Sequence, residues 1–255
     1  MQVKLVMRSL NIEPDGKSQQ FQMGDGQLHD VYMPVAQYII NCQKETGRRI
    51  VFGIVGPPGS GKTHFASVLC QLINEMLGRD IAIVIGMDGW HFANQLLEEK
   101  ILVRKGQAIP LKAYKGAPES FDGESFTAFV SNVKMRDNLH FPRYDRNLHE
   151  PVSDHGEVTA EHKTILLEGN YLLLNESPWR SVKPKLDGTC FIWSGERLRW
   201  HTLMKRHMLG KKTAIQAVHH IFNVDMQNTY RIGKPAVDIL LERINTNDLQ
   251  IIDGL

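Results

Sequence analysis

The chain has 255 residues, of which 42% are apolar and 23% charged, and its 30 basic and 28 acidic side chains leave a formal charge of +2. That length and composition predict one globular domain, with an insertion at most, and exclude a fibre or a disordered chain. The near-balance of charge argues against a nucleic-acid role, the lack of an apolar run of roughly 18 to 20 residues and a start from Met1 to Pro14 without an apolar signal core argue against membrane and export roles, and a cytoplasmic protein is expected.

Residues Met1 to about Asp30 are polar, rich in Gln, Gly and Asp and without a sustained period, which predicts a loosely held arm ahead of a single domain over 31–255. A helix over Val31–Cys42 and a polar break from Lys44 to Arg49 lead into the apolar run Ile50–Val55, the first strand. After a Gly-rich turn, Phe65, Val68, Leu69, Leu72, Ile73, Met76 and Leu77 recur at three- and four-residue steps and stop at Gly78, a helix with its C-cap. Ile81–Gly86 is a second buried strand, and a helix follows near Asn94–Leu102. Asp122 is placed to cap a helix with Phe126, Phe129, Val130 and Val133 on one stripe. Ile165–Leu167, Cys190–Trp193 and Val237–Leu241 read as further strands. Strands separated by helices predict an α/β fold, a doubly wound and mainly parallel sheet with helices on both faces. Cys42, Cys70 and Cys190 lie far apart in apolar stretches and are expected as three buried thiols.

The turn Gly56-Pro57-Pro58-Gly59-Ser60-Gly61-Lys62-Thr63 fits G-x-x-x-x-G-K-[ST] and lies between a strand and an amphipathic helix, the context this pattern requires. Gly56, Gly59 and Gly61 let the backbone around Ser60 turn its N–H groups onto phosphate oxygens. Lys62 reaches the terminal phosphates and Thr63 ligates magnesium. Ligands of open parallel sheets sit beyond the carboxyl ends of the strands, and Asp88 and Glu168 both occur where an apolar run breaks at that end. Glu168 is expected to face a cation, as a magnesium ligand or in a structural ion pair. Asp88 fits either a reacting carboxylate or a cap of the turn at Gly89.

The phosphate-binding turn, Asp88-Gly89-Trp90-His91-Phe92-Ala93-Asn94, the stretch from Lys115-Gly116 to Phe121-Asp122, and Leu167-Glu168-Gly169-Asn170 together resemble the phosphoribulokinase, uridine kinase and bacterial pantothenate kinase superfamily, in the same order. The similarity runs from about Arg49 to Arg243. It is nearest to pantothenate kinases and to bacterial nucleoside kinase-like and fructose-transport kinase-like proteins. The resemblance implies the P-loop kinase fold with a helical lid and a kinase that uses ATP and magnesium to phosphorylate a hydroxyl of a small metabolite. It also implies that Asp88 is the base accepting the hydroxyl proton.

Phe141-Pro142-Arg143-Tyr144-Asp145-Arg146 resembles the substrate-contacting segment of uridine kinases and departs from pantothenate kinases, which carry a tyrosine and a histidine near there. Arg143, Tyr144 and Arg146 are therefore candidate acceptor contacts, two of them suited to carboxylate or phosphate, or else form an ion-paired strand end. His91 either touches the acceptor or makes a local hydrogen bond. Between Arg197 and Lys212 lie six Lys or Arg residues and no acid. In the resembled kinases a basic helix at this place, about 196–213 here, closes over the triphosphate, and Arg206 is the candidate that stabilises the transferring charge, with a solvated helix face as the alternative. The remaining histidines show no metal-binding spacing, so no zinc site is expected. The competing classes are a nucleotide-driven switch, whose N-K-x-D and D-x-x-G signatures do not occur, and a nucleic-acid-binding ATPase using the basic stretch. The required partner is a small hydroxylated acceptor, and a homodimer is left open.

Overall fold

The computed structural model describes residues 7–12, 14, 18–104 and 106–255, and the chain opens with an antiparallel hairpin, β1 (Met7–Ile12) against β2 (Gln19–Gly24). Leu10, Ile12 and Met23 are buried in the main core, so the described part of the expected loose arm is packed structure. Residues 1–6, 13 and 15–17 of that arm lie outside the described residues. Each strand turns two apolar side chains inward, Leu10 and Ile12 on one, Phe21 and Met23 on the other, within polar company. An alternation that short does not register as a period.

A π-helical turn, Leu28–Tyr32, continues into α1 (Met33–Thr46). This helix runs past the expected end at Cys42 because Lys44 and Glu45 are good helix formers, and the chain leaves it only where Gly47 takes φ 62°. Then come β3 (Ile50–Val55), α2 (Lys62–Leu77) and β4 (Ala82–Gly86). Helix α3 (Asn94–Glu99) is shorter than expected: Lys100 is extended, and Ile101 and Leu102 join β5 (Ile101–Arg104), which pairs with β6 (Gln107–Pro110). Helix α4 (Gly123–Asn132) starts where the Ser125 N–H donates to the Asp122 side chain, as the sequence predicts. An antiparallel ribbon of β7 (Leu139–Asp145) and β8 (Glu150–Val158) precedes β9 (Thr164–Gly169) and β10 (Gly188–Ser194). The chain closes with α5 (Glu196–Leu209), α6 (Ala214–His220), α7 (Met226–Ile232), β11 (Ile239–Arg243) and β12 (Leu249–Asp253).

Six strands form one sheet in the order β12-β11-β10-β3-β9-β4, all parallel except β12. This is the doubly wound, mainly parallel α/β sheet expected. Alternation along β3 divides the core: Ile50, Phe52 and Ile54 face α1, α2 and the N-terminal hairpin, while Val51 and Val55 face Phe126, Tyr171 and Trp179. With both faces covered, the central strands read as unbroken apolar runs. Of the three cysteines, all free thiols, Cys190 is buried as expected and Cys42 and Cys70 are only half-buried, since each lies at the edge of a helix's buried stripe. Among the described residues no helix is long and apolar enough to cross a membrane.

One residue ahead of β3, the buried Arg49 uses all five guanidinium N–H donors. They go to the carbonyls of Val133, Arg136, Thr159 and His162 and to the Asp137 carboxylate. These acceptors flank the segment that carries the β7–β8 ribbon, so one side chain clamps its base to the sheet. Arg49→Ala is expected to lower stability by about 3 kcal/mol, since it leaves one buried and three part-buried carbonyls without their donor, while the half-exposed Asp137 turns to water. Arg49→Lys restores little of the loss, because an ammonium has three donors and no planar fork. Urea unfolding midpoints of the three proteins measure both effects.

Candidate active site

In the sheet register Glu168 lies opposite Ile54 of β3 on one side and Gly86 of β4 on the other, so three strands end level and the residues after them crowd one edge. After β3 the chain makes the glycine-rich turn. A Cβ on Gly56 would sit 2.5 Å from the Ile192 carbonyl oxygen and 2.7 Å from Ser60 Oγ, and Gly59 and Gly61 hold φ 79° and 97°, so this path admits little else. Arg243 Nη1 donates to the Gly59 carbonyl at 3.0 Å from below the turn. Ser60 Oγ is buried without a hydrogen-bond partner among the described residues, an orphan that a phosphate oxygen would satisfy.

Lys62 is buried, and its Nζ donates to Asn170 Oδ1 at 2.7 Å and to the Pro57 carbonyl at 3.3 Å. Burial pulls its pKa down to about 8 against the opposing charges of Glu168 and Asp88. Thr63 Oγ1 donates to Glu168 Oε1 at 3.4 Å, a pair of hard oxygens of the kind magnesium takes. Gly86 leaves room for that carboxylate, since a Cβ there would lie 3.1 Å from Glu168 Oε1.

Asp88 follows β4 in a short 3-10 turn, Met87–Trp90. Burial by itself would raise its pKa, but His91, Arg146, Lys62 and Arg206 outweigh burial and hold the carboxyl below its ordinary range, ionised at neutral pH. Asp88, Thr63 and Glu168 line the same cleft, together with Arg143 and Tyr144. The β7 backbone reaches this turn because residue 89 is glycine: a Cβ there would lie 2.2 Å from the Pro142 carbonyl oxygen. His91 Nδ1 donates to the Asp88 carbonyl at 2.9 Å, and its ring packs against Phe121 and Tyr144 with centroids 3.8 and 5.0 Å apart. The local hydrogen bond accounts for the position of this imidazole, whose pKa burial lowers.

The expected lid helix is α5, and it packs on the phosphate-binding turn, since a Cβ on Gly59 would lie 3.0 Å from Leu203 Cγ. Its basic residues divide. Arg199 is buried and structural, donating to the Ser194 carbonyl and to Thr229 Oγ1. Arg206 is half-exposed, lies close enough to Asp88 and Lys62 to shift both, and contacts Asp225 at 3.5 Å. The turn out of the helix is taken by Lys211 at φ 68° and not by Gly210, whose φ is −77°.

Sequence reading did not single out Asn170 as the partner of Lys62, nor Asp225 as the anchor of α5. Asn170 was legible as the second residue after Glu168, in the stretch Leu167-Glu168-Gly169-Asn170. The anchoring role of Asp225 had no local signal, because its contacts come from residues 18 and 19 positions earlier. His207 Nε2 donates to Asp225 Oδ2 at 2.7 Å while Nδ1 accepts from the Lys212 ammonium at 3.3 Å, which fixes the tautomer. His220 joins this cluster, its pKa pressed to about 4 by burial.

A glycine turn around a buried lysine, set against the carboxylates of Asp88 and Glu168 at the carboxyl edge of a doubly wound sheet, defines the class of P-loop phosphotransferases. A model of the KAP family P-loop domain matches residues 30–182. A provisionally named uridine kinase of Schizosaccharomyces pombe is 30% identical over 203 residues, covering 77% of this chain and 84% of that protein. The uncharacterized Escherichia coli protein YggC is 28% identical over 91% of this chain and 90% of its own length. Among solved structures, a provisionally named fructose transport system kinase from Silicibacter sp. TM1040 superposes with a TM-score of 0.67 at 26% identity, over 79% of this chain and 97% of that one. The chain therefore carries the P-loop domain that the KAP model describes and belongs to the phosphoribulokinase, uridine kinase and pantothenate kinase superfamily of P-loop kinases.

Burial raises the pKa of Asp225, while the hydrogen bond from His207 and the charge of Arg206 lower it further, for a net depression. A depressed folded-state value stabilises the protein above the unfolded carboxyl pKa and loses that contribution as pH falls through the folded one. Asp225→Asn is expected to cost about 1.5 to 3 kcal/mol near neutrality. The difference from wild type should shrink below about pH 4, as read from urea midpoints across pH.

Proposed function

We propose that the protein is an ATP-dependent kinase that transfers the γ-phosphoryl group to a hydroxyl of a small metabolite, with Asp88 as the proton acceptor. The observation that carries this reading is that Asp88, ionised and partly sheltered, shares one cleft with Thr63 and Glu168 beside the phosphate-binding turn. Magnesium, when bound, would screen the charge of the triphosphate, and Thr63 and Glu168 are the residues that would hold it.

The chain's own groups have separable tasks. The backbone N–H groups of the turn, with Ser60, bind phosphate oxygens, and Lys62 adds the charge that Asn170 aims. Asp88 takes the proton of the acceptor hydroxyl as its oxygen bonds to phosphorus and the bond to the departing nucleoside diphosphate breaks. Arg206 stabilises the charge on the transferring group, positioned by Asp225. Arg143 and Tyr144, which line the cleft, form the acceptor wall, Arg146 stands close enough to Asp88 to favour its ionised form, and Arg143 would pair with an anionic group near the reacting hydroxyl. His91 supports this wall by packing on Tyr144.

Asp88→Asn is expected to retain ATP binding and to slow transfer by at least about a hundredfold. Loss of nucleotide affinity with undiminished transfer would make Asp88 a structural cap instead. Arg206→Ala is expected to lower kcat more than it raises KM for ATP. A panel of candidate alcohols with ATP and magnesium, scored for phosphorylated product and for ADP release above the water background, measures both. Slow hydrolysis with no product from any alcohol would shift the reading toward an ATPase.

A further inference from the structure

The core and the reacting end use only part of the basic stretch around α5. Arg199 is buried, Arg206 stands near Asp88, and Lys212 is half-buried beside His207. Arg197, Lys205 and Lys211 remain, and all three are exposed. At about 100° per residue, Arg197 and Lys205 fall on the side of α5 away from its buried stripe of Arg199, Leu203 and His207. From Arg197 to Val224 the chain has no Asp or Glu. The acids that bound this stretch are Glu196, at the start of α5, and Asp225, buried against Arg206 and His207. The formal charge of +2 for the whole chain conceals this concentration.

The same surface carries exposed apolar side chains. Helices α5 and α6 are joined by the short turn 210–213 and pack together as a hairpin. Trp200, Met204 and Met208 recur every four residues along one side of α5, and Ile215, Val218 and Phe222 follow at helical spacing along α6 and the π-helical turn Ile221–Asp225. The Trp200 and Phe222 rings meet at one end, with centroids 5.1 Å apart. Roughly 12 Å from there along α5, and roughly 10 Å back along α6, Met208 and Ile215 stand at the other end. The two stripes therefore share one face. Leu203, Ile221 and Met226 close it from below, while Met208 is 52% exposed, Phe222 56% and Ile215 83%.

Charge narrows what covers such a face. A second copy of this chain would bring like charges to its rim, which is unfavourable, whereas an anionic surface meets Arg197, Lys205 and Lys211 with attraction. Shape then favours a bilayer over an acidic protein. Ile215 and Phe222 stand out as knobs that a headgroup layer admits, while a protein would have to supply a fitted pocket for each. The long stems of the flanking basic residues let their charges stay at the phosphate level as the apolar side chains sink.

We propose that the α5–α6 hairpin is a docking surface for an anionic lipid bilayer, with Met208, Ile215 and Phe222 entering the headgroup layer and Arg197, Lys205 and Lys211 meeting lipid phosphates. The contact is peripheral, lies on the outer side of the lid helix, and stands apart from the kinase reading.

Co-sedimentation of the full chain with vesicles tests this, one set made of phosphatidylcholine and the other of phosphatidylcholine with one part in three of phosphatidylglycerol. Partitioning onto the anionic vesicles is expected to exceed that onto the neutral ones by about tenfold or more at low salt, and to fall as salt rises. Ile215→Asp should lower anionic binding by about tenfold. An acid in the first turn of α6 favours the helix, so the fold is retained. Arg197→Glu combined with Lys205→Glu should weaken binding by a similar factor, while Met135→Asp, at an exposed apolar residue just after α4, leaves it unchanged. Circular dichroism verifies that each variant is folded. Equal partitioning onto both vesicle sets, including none onto either, overturns the proposal, as does a preference that survives the changes on this face in folded variants. Binding to polyglutamate without binding to vesicles overturns it in favour of an acidic protein. A lipid-free dimer that Ile215→Asp dissociates overturns it in favour of contact between copies.

Discussion

Lys62 is an ammonium group held almost out of water, and the site is organised around that constraint. An isolated buried cation is penalised by several kcal/mol, and here Glu168 and Asp88 oppose the penalty while Asn170 Oδ1 and the Pro57 carbonyl accept hydrogen bonds from the ammonium. The carboxylates depend on cations in return: Asp88 stays ionised because His91, Arg146, Lys62 and Arg206 face it. None of these groups is adjacent in sequence to more than one other. They meet because β3, β9 and β4 are in register and stop at the same level, so that the turn after β3, the end of β9 and the turn after β4 share one edge.

The acceptor side is brought to this edge by close backbone approach. Gly89 lets the Pro142 carbonyl lie where a Cβ would otherwise be, and Gly156 leaves space for the Phe141 ring, whose Cζ would stand 2.3 Å from a Cβ there. Gly89 fits the β7–β8 ribbon to the Asp88 turn, Gly156 seats Phe141 within the ribbon, and Arg49 fixes the base of the same segment at the opposite end of the strands. The ribbon is thus anchored at its base and at Phe141 and Pro142, and Arg143, Tyr144 and Arg146 follow beyond those contacts toward its tip.

Much of this was legible in the sequence because the signals are local. The glycine turn, the strand before it, the helix after it and the Asp122 cap each declare themselves within a few residues, and Asp88 and Glu168 stand out as charges that break apolar runs. What was not legible depends on distant contacts. The N-terminal hairpin offers two inward apolar positions per strand and becomes packed structure only because α2 and the sheet supply the other half of its core. Asp225 is one acidic residue in a helical stretch until α5 folds back to place Arg206 and His207 against it. The six basic residues of the α5 region were indistinguishable by spacing. Burial separates them, sending Arg199 into the core and leaving Arg206 toward the site.

The position of β4 at the end of the sheet also bears on how the molecule meets its own copies. A terminal strand presents unpaired amides and carbonyls that another chain can extend. Here β7 packs against β4, and residues of both hairpins line the cleft beside it. At the other end, β12 is a five-residue strand that carries Asp253, and a short template with a charge on it recruits poorly. The packing of β7 on β4 at one edge and the short, charged β12 at the other therefore both work against growth of the sheet by self-addition.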